Sequence, residues 1–107
     1  MQRIGFLIRV KPAKLEEYKR IHADVWPDLL AELKKAGMRN YSLWLRPDGM
    51  EFGYLECDDW KAACDYLATS EVHTRWQKFM ENYLESDTDS EQGGQPVEML
   101  PMSFLME

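Results

Sequence analysis

Apolar residues alternate with others along residues 3–10, so that Ile4, Phe6, Ile8 and Val10 share one face. A period of two predicts a strand with one buried side. Lys11-Pro12 then opens a helical region, since proline suits a first turn. Leu15, Tyr18, His22, Val25 and Leu29 recur at steps of three and four, the signature of one helical stripe. Pro27 cannot sit in an undisturbed helix interior, so a kink or break is expected between residues 23 and 27. A second helical segment runs to Ala36 and stops at Gly37.

Residues 40–46 alternate again. Tyr41, Leu43 and Leu45 face one way, and Ser42 and Trp44 the other. Arg46-Pro47-Asp48-Gly49 is a turn, and residues 50–57 are the returning strand of a hairpin. Asp58 is expected to cap the next helix, which carries Trp60, Ala63, Cys64 and Leu67. Thr69-Ser70 reads as a second cap, before a helix whose apolar side is Val72, Trp76, Phe79 and Tyr83. Residues 85–96 are rich in Ser, Asp and Gly and read as a loop or flap. Apolar character returns after Val97, where Pro101 suggests an edge strand or bulge. The order strand, helix, strand, strand, helices, strand is that of the split βαβ, ferredoxin-like α+β fold. Helices cover one face of such a sheet. The alternation on these strands predicts that a second copy covers the other, giving a homodimer of the dimeric α/β barrel type.

With 107 residues the chain is read as one domain, residues 1–107. Its net charge of −6 argues against nucleic acid and against anionic membrane surfaces. No apolar run approaches the ~20 residues that span a bilayer. The apolar stretch near the start is too short for a signal peptide. Cys57 and Cys64 form no small-scaffold disulfide pattern and are expected reduced, in the cytoplasm. No phosphate loop, HExxH, zinc pattern or GxSxG occurs. Two histidines with fifty residues between them offer poor metal-ligand spacing, so neither metal nor cofactor is expected.

Tyr18 and His22 lie four apart on one helical face, and Trp26 follows four later. Imidazole exchanges protons near neutrality, and aromatic faces suit the apolar side of a pyranose. His22 would also occupy the last turn before the Pro27 break, where a helix C-terminus favours the imidazolium. The same residues equally suit a core face with its polar tips bonded to backbone. Tyr41 also fits an ordinary strand aromatic, and Trp76 a core anchor. Arg75 reads as a surface group. His73, near a helix start, reads as surface too.

The stretch EEYKRIHADVWPDLLAELKKAGMRNYSLWL resembles the L-rhamnose mutarotase family through Glu16-Glu17-Tyr18, His22, Trp26-Pro27, Gly37 and Asn40-Tyr41. TSEVHTRWQKFM matches too, with Arg75-Trp76 and Met80. The likeness spans roughly residues 2–84, and its specificity comes from the spacing between motifs. It implies a cofactor-free isomerase that interconverts the α and β anomers of L-rhamnose. It makes His22 the proton donor and Tyr18, Tyr41 and Trp76 sugar contacts. Trp26 is a further candidate for stacking. Gln77, a further candidate sugar contact, stands where some members carry a second Trp, exchanging a stacking surface for a hydrogen-bonding amide. The tail keeps the family's acidic-loop-then-apolar character but not its sequence. Two other readings of the fold stay open: a dimeric α/β barrel monooxygenase or haem-handling protein, and a non-catalytic sugar-binding module.

Overall fold

The computed structural model describes residues 1–85 and 97–107, so the expected flap lies mostly outside the described residues. Strand β1 (Gln2–Arg9) leads through a 3₁₀ turn at Pro12–Lys14 into helix α1 (Leu15–Ala23). The chain breaks at residues 24–26, and helix α2 (Pro27–Lys35) restarts with its proline in the first turn. The predicted stripe is therefore split between two helices, with Val25 in the break between them. Gly37 ends α2 at φ 97°, and Met38 N–H reaches back to Leu33 O at 3.1 Å. This left-handed cap is the reason for a glycine there.

Strands β2 (Arg39–Leu45) and β3 (Met50–Cys57) form the hairpin. Its turn returns to β1, with Val10 N–H bonded to Gly49 O at 2.7 Å. Helix α3 (Trp60–Ala68) is capped by Asp59, whose carboxylate accepts from Ala62 N–H, and not by Asp58. Asp58 instead pairs with Arg39 at 3.0 Å. Asp59, at φ −146° and ψ 101°, has the extended backbone an N-cap needs. Ser70 caps helix α4 (Glu71–Met80) as expected. Tyr83 lies beyond the end of that helix. Strand β4 (Val97–Leu100) forms the edge, ending before Pro101.

The sheet order is β2-β3-β1-β4, with every neighbouring pair antiparallel. This is the ferredoxin-like arrangement. Pairing fixes the faces: Phe6 sits opposite Gly53, Ile8 opposite Glu51, and Leu43 opposite Gly53. These residues look toward the helices, where Phe6, Ile8, Leu55, Leu29, Leu67, Trp76 and Met80 build the core. The other face carries Trp44, 66% exposed, and Phe52, 41% exposed. No helix among the described residues is long and apolar enough to cross a membrane.

Candidate active site

Between α1, α2 and β2 lies a cleft of about 440 Å³, within the range that small-molecule sites occupy. His22, Tyr41 and Trp76 line it together, brought there by α1, β2 and α4. Val25, Leu29, Leu33 and Leu43 supply apolar wall, and Lys34, Arg39 and Asn40 supply polar groups.

Three contacts hold the His22 ring. It lies against the Tyr18 ring at 4.1 Å between centroids, and edge-to-face with Trp76 at 5.5 Å. Its Nδ1 is 3.0 Å from the Tyr18 carbonyl oxygen. A carbonyl can only accept, so the proton sits on Nδ1, and Nε2 is the nitrogen left to exchange protons. His22 does lie in the last turn of α1, but the expected imidazolium does not follow. Burial lowers its pKa from the ordinary histidine value, against a smaller upward effect of the bond to Tyr18. Desolvation outweighs the helix terminus because the ring is wedged between aromatic neighbours.

Tyr41 is placed by a backbone irregularity. Arg39 pairs with Glu56 and Ser42 with Tyr54, so β2 carries one extra residue between them. Asn40 takes the left-handed conformation there, at φ 50°. Asparagine tolerates that region better than most residues. Its amide donates to Glu56 at 2.9 Å. The bulge turns Tyr41 toward the cleft, its ring edge-to-face with Phe6 at 6.1 Å.

Beneath the cleft lies a residue that sequence reasoning missed. Glu51, on β3, is 3% exposed and accepts a hydrogen bond from the Tyr18 hydroxyl. Burial raises its pKa, opposed by the Tyr18 bond. Tyr18 in turn is held far above its usual range by burial first and the Glu51 charge second. Tyr41 is raised by the same two causes in the same order. The sequence did hold a signal: in the alternation of β3, Glu51 shares its face with Gly53, Leu55 and Cys57, the buried side.

Tyr18, 2% exposed, does not line the cleft, and neither do the remaining candidates. Trp26 backs Trp76 edge-to-face at 5.0 Å and stacks on Phe79 at 5.6 Å. Arg75 lies over the Trp26 ring at 5.9 Å and pairs with Asp28 at 3.6 Å. Gln77 is half-buried on α4 beside Trp76. Trp76 itself serves both as core anchor and as cleft wall, being 6% exposed. His73 is not the surface group expected: it is half-buried, and its Nδ1 has no hydrogen-bond partner. It lines a smaller cavity of about 70 Å³ with Cys64, Trp60 and Phe6. Neither Cys57 nor Cys64 is in a disulfide. Among the described residues, no three His, Cys, Asp or Glu side chains gather as a metal site would require.

The fold and this helix-roofed cleft define an α+β domain of ferredoxin-like architecture. A solved antibiotic biosynthesis monooxygenase shares it at TM-score 0.62 and 16% identity, over 95% of this chain and 98% of that one. That likeness concerns the fold alone. The L-rhamnose mutarotase family model matches residues 3–106, and the chain belongs to that family of isomerases. An L-rhamnose mutarotase of Oceanobacillus iheyensis is 37% identical over 90 residues, covering 83% of this chain and 86% of that protein. The crystal structure of L-rhamnose mutarotase from Formosa agariphila superposes at TM-score 0.82, with 22% identity over the whole of both chains.

Proposed function

We propose that the cleft is where L-rhamnose changes anomer, with His22 as its proton donor. The observation that carries this reading is the meeting of His22, Tyr41 and Trp76 on one cleft, with the Tyr18 ring tilted against His22. Mutarotation opens the ring to the aldehyde, turns the C1–C2 bond and closes on the other face. Opening places a proton on the ring oxygen and removes one from the anomeric hydroxyl. A positioned acid contributes about 10²–10⁴-fold. A lowered pKa makes the His22 imidazolium a stronger donor, and closure returns the proton. Trp76 offers its ring to the sugar's apolar side. Val25, Leu29 and Leu33 suit the C6 methyl group. Tyr18, Tyr41 and Trp76 are the sugar-contacting side chains in this reading. Trp26 and Gln77 support Trp76 from behind and beside it. The reaction transfers no electrons and needs no cofactor.

The working form is a homodimer closed over the open face of the sheet. Exposed Trp44 and Phe52 on that face support it, because a large apolar patch on one side of a sheet calls for a cover.

The test is proton NMR saturation transfer between the anomers of L-rhamnose, with L-fucose and D-glucose as comparison sugars. Exchange accelerated by the protein and lost in His22→Ala is expected. Binding of rhamnose with no acceleration would instead identify a sugar-binding module. No effect on any sugar by folded protein would leave the monooxygenase reading of the fold.

A further inference from the structure

Glu51 is an unusual group to find under a neutral-sugar site. It is a carboxylate on the helix-facing side of the central strand β3, opposite Ile8 of β1 and Leu45 of β2, both apolar. The groups that face it are Tyr18 from α1, bonded to it directly, and Tyr41 from β2, which feels its charge. His22 lies against the Tyr18 ring, 4.1 Å between centroids. No basic side chain forms an ion pair with Glu51 among the described residues. An unpaired buried carboxylate is costly, and an apolar residue there would complete the core more simply.

Resting on the mutarotase reading, we propose that Glu51 is the positioning residue that serves, through the Tyr18 hydroxyl, as the proton-holding counterpart of His22. Opening then runs as two balanced transfers. His22 gives the proton on Nε2 to the ring oxygen as the C1–O5 bond breaks. The anomeric hydroxyl gives its proton to Tyr18 Oη, while Tyr18 passes its own to the Glu51 carboxylate. The products are the open aldehyde, neutral His22 and protonated Glu51. Closure on the other face reverses both transfers: Tyr18 protonates the aldehyde oxygen and is refilled from Glu51, and His22 takes the proton from the O5 hydroxyl. The pair ends with the one proton it began with, so no outside donor is required.

Electrostatics suit the exchange. Burial lowers His22 and raises Glu51, which brings an imidazole and a carboxyl toward a common range. Two coupled groups sharing one proton give a bell-shaped dependence on pH, whose limbs belong to the pair. Below both limbs the site has no base, and above both it has no acid.

The experiment compares wild type, Glu51→Gln, Glu51→Leu and Tyr18→Phe by saturation transfer in L-rhamnose across pH 4–9. Circular dichroism and thermal melting check the fold of each. Gln keeps an oxygen to accept from Tyr18 but holds no proton at these pH values. It is expected to lose on the order of 10²-fold in anomer exchange, with the acidic limb gone and rhamnose affinity little changed. Tyr18→Phe is expected to lose a similar factor, and Tyr18→Phe/Glu51→Gln no more than either alone. A folded Glu51→Gln with wild-type rate and an unmoved pH profile overturns the proposal, even if Glu51→Leu unfolds. An inactive folded wild type overturns the mutarotase reading, and this proposal with it.

Discussion

The imidazole of His22 lies 4.1 Å from the Tyr18 ring, and its Nδ1 hydrogen points at the Tyr18 carbonyl oxygen, 3.0 Å away. Tyr18 thus holds both the plane and the tautomer of the residue four positions on. His22→Gln retains a side-chain amide for that carbonyl but carries no exchangeable proton near neutrality. It is expected to fold normally and to lose about 10²-fold or more in anomer exchange, measured by saturation transfer. Rhamnose affinity by calorimetry is expected to change only a few-fold, because Tyr41 and Trp76 remain.

Asn40 is the one described non-glycine residue at positive φ, and it bears the bulge that aims Tyr41. Asn40→Ala places a Cβ with no compensating hydrogen bond in the left-handed region, a cost of about 1–2 kcal/mol. Asn40→Gly removes that strain. Melting temperatures are expected to fall more for Ala than for Gly. Equal losses in the two variants would instead assign the effect to the bond from Asn40 to Glu56, which both remove.

Gly53 lies beneath the Phe6 ring. A Cβ built there would meet Phe6 Cζ at 2.2 Å and Cε2 at 2.3 Å. Phe6 is 3% exposed and touches Tyr41, so the ring cannot move freely. Gly53→Ala is expected to destabilise the fold by about 1–3 kcal/mol in urea unfolding. It is also expected to weaken rhamnose binding, because displacing Phe6 disturbs Tyr41.

Glu51 has a folded-state pKa above its unfolded value, so the folded state binds the extra proton between the two. Stability from this group is therefore present below the unfolded pKa and is lost as pH rises through the folded one. Glu51→Gln is expected to be more stable than wild type at pH 7, by about 1 kcal/mol, with the gap closing as pH falls toward 4.5. His22 and His73 titrate in both proteins and add a dependence of the opposite sign. Their lowered pKa values oppose acid: their contribution is present above about 6.5 and is lost as pH falls through the folded values. Melting curves of the two proteins from pH 4 to 8 check this.

Phe52 and Trp44 sit opposite each other on neighbouring strands of the open face. Phe52→Glu places a charge in the centre of the proposed dimer interface while leaving the helix-covered core untouched. Analytical ultracentrifugation is expected to show a dimer for wild type and a monomer for the variant. A monomeric wild type at micromolar concentration would remove the homodimer from the picture.

Most of the fold is legible in local order. Alternation at Ile4, Phe6, Ile8 and Val10 marks β1, Pro27 marks the helix break, Gly37 the helix end, and Ser70 a cap. Each depends on a few neighbouring residues whose backbone chemistry acts alone. The cap at the start of α3 went to Asp59 instead of Asp58 because adjacent aspartates differ only in which one turns toward the helix. Distant contact with Arg39 takes Asp58 the other way.

The site divides along the same line. Tyr18 and His22 share a helical face by spacing, and the family's motifs single out Tyr41 and Trp76. The sequence by itself therefore determined the order of elements, the family and the candidate side chains. Tertiary structure decided that Trp26 supports Trp76 from outside the cleft, that His22 is biased toward the neutral form, and that Glu51 lies under Tyr18. Tyr18 and Glu51 are 33 residues apart, and they meet because β3's register turns Glu51 to the helix-facing side and α1 packs there. Burial then sets their protonation, because the cost of a charge depends on the groups that replace water around it.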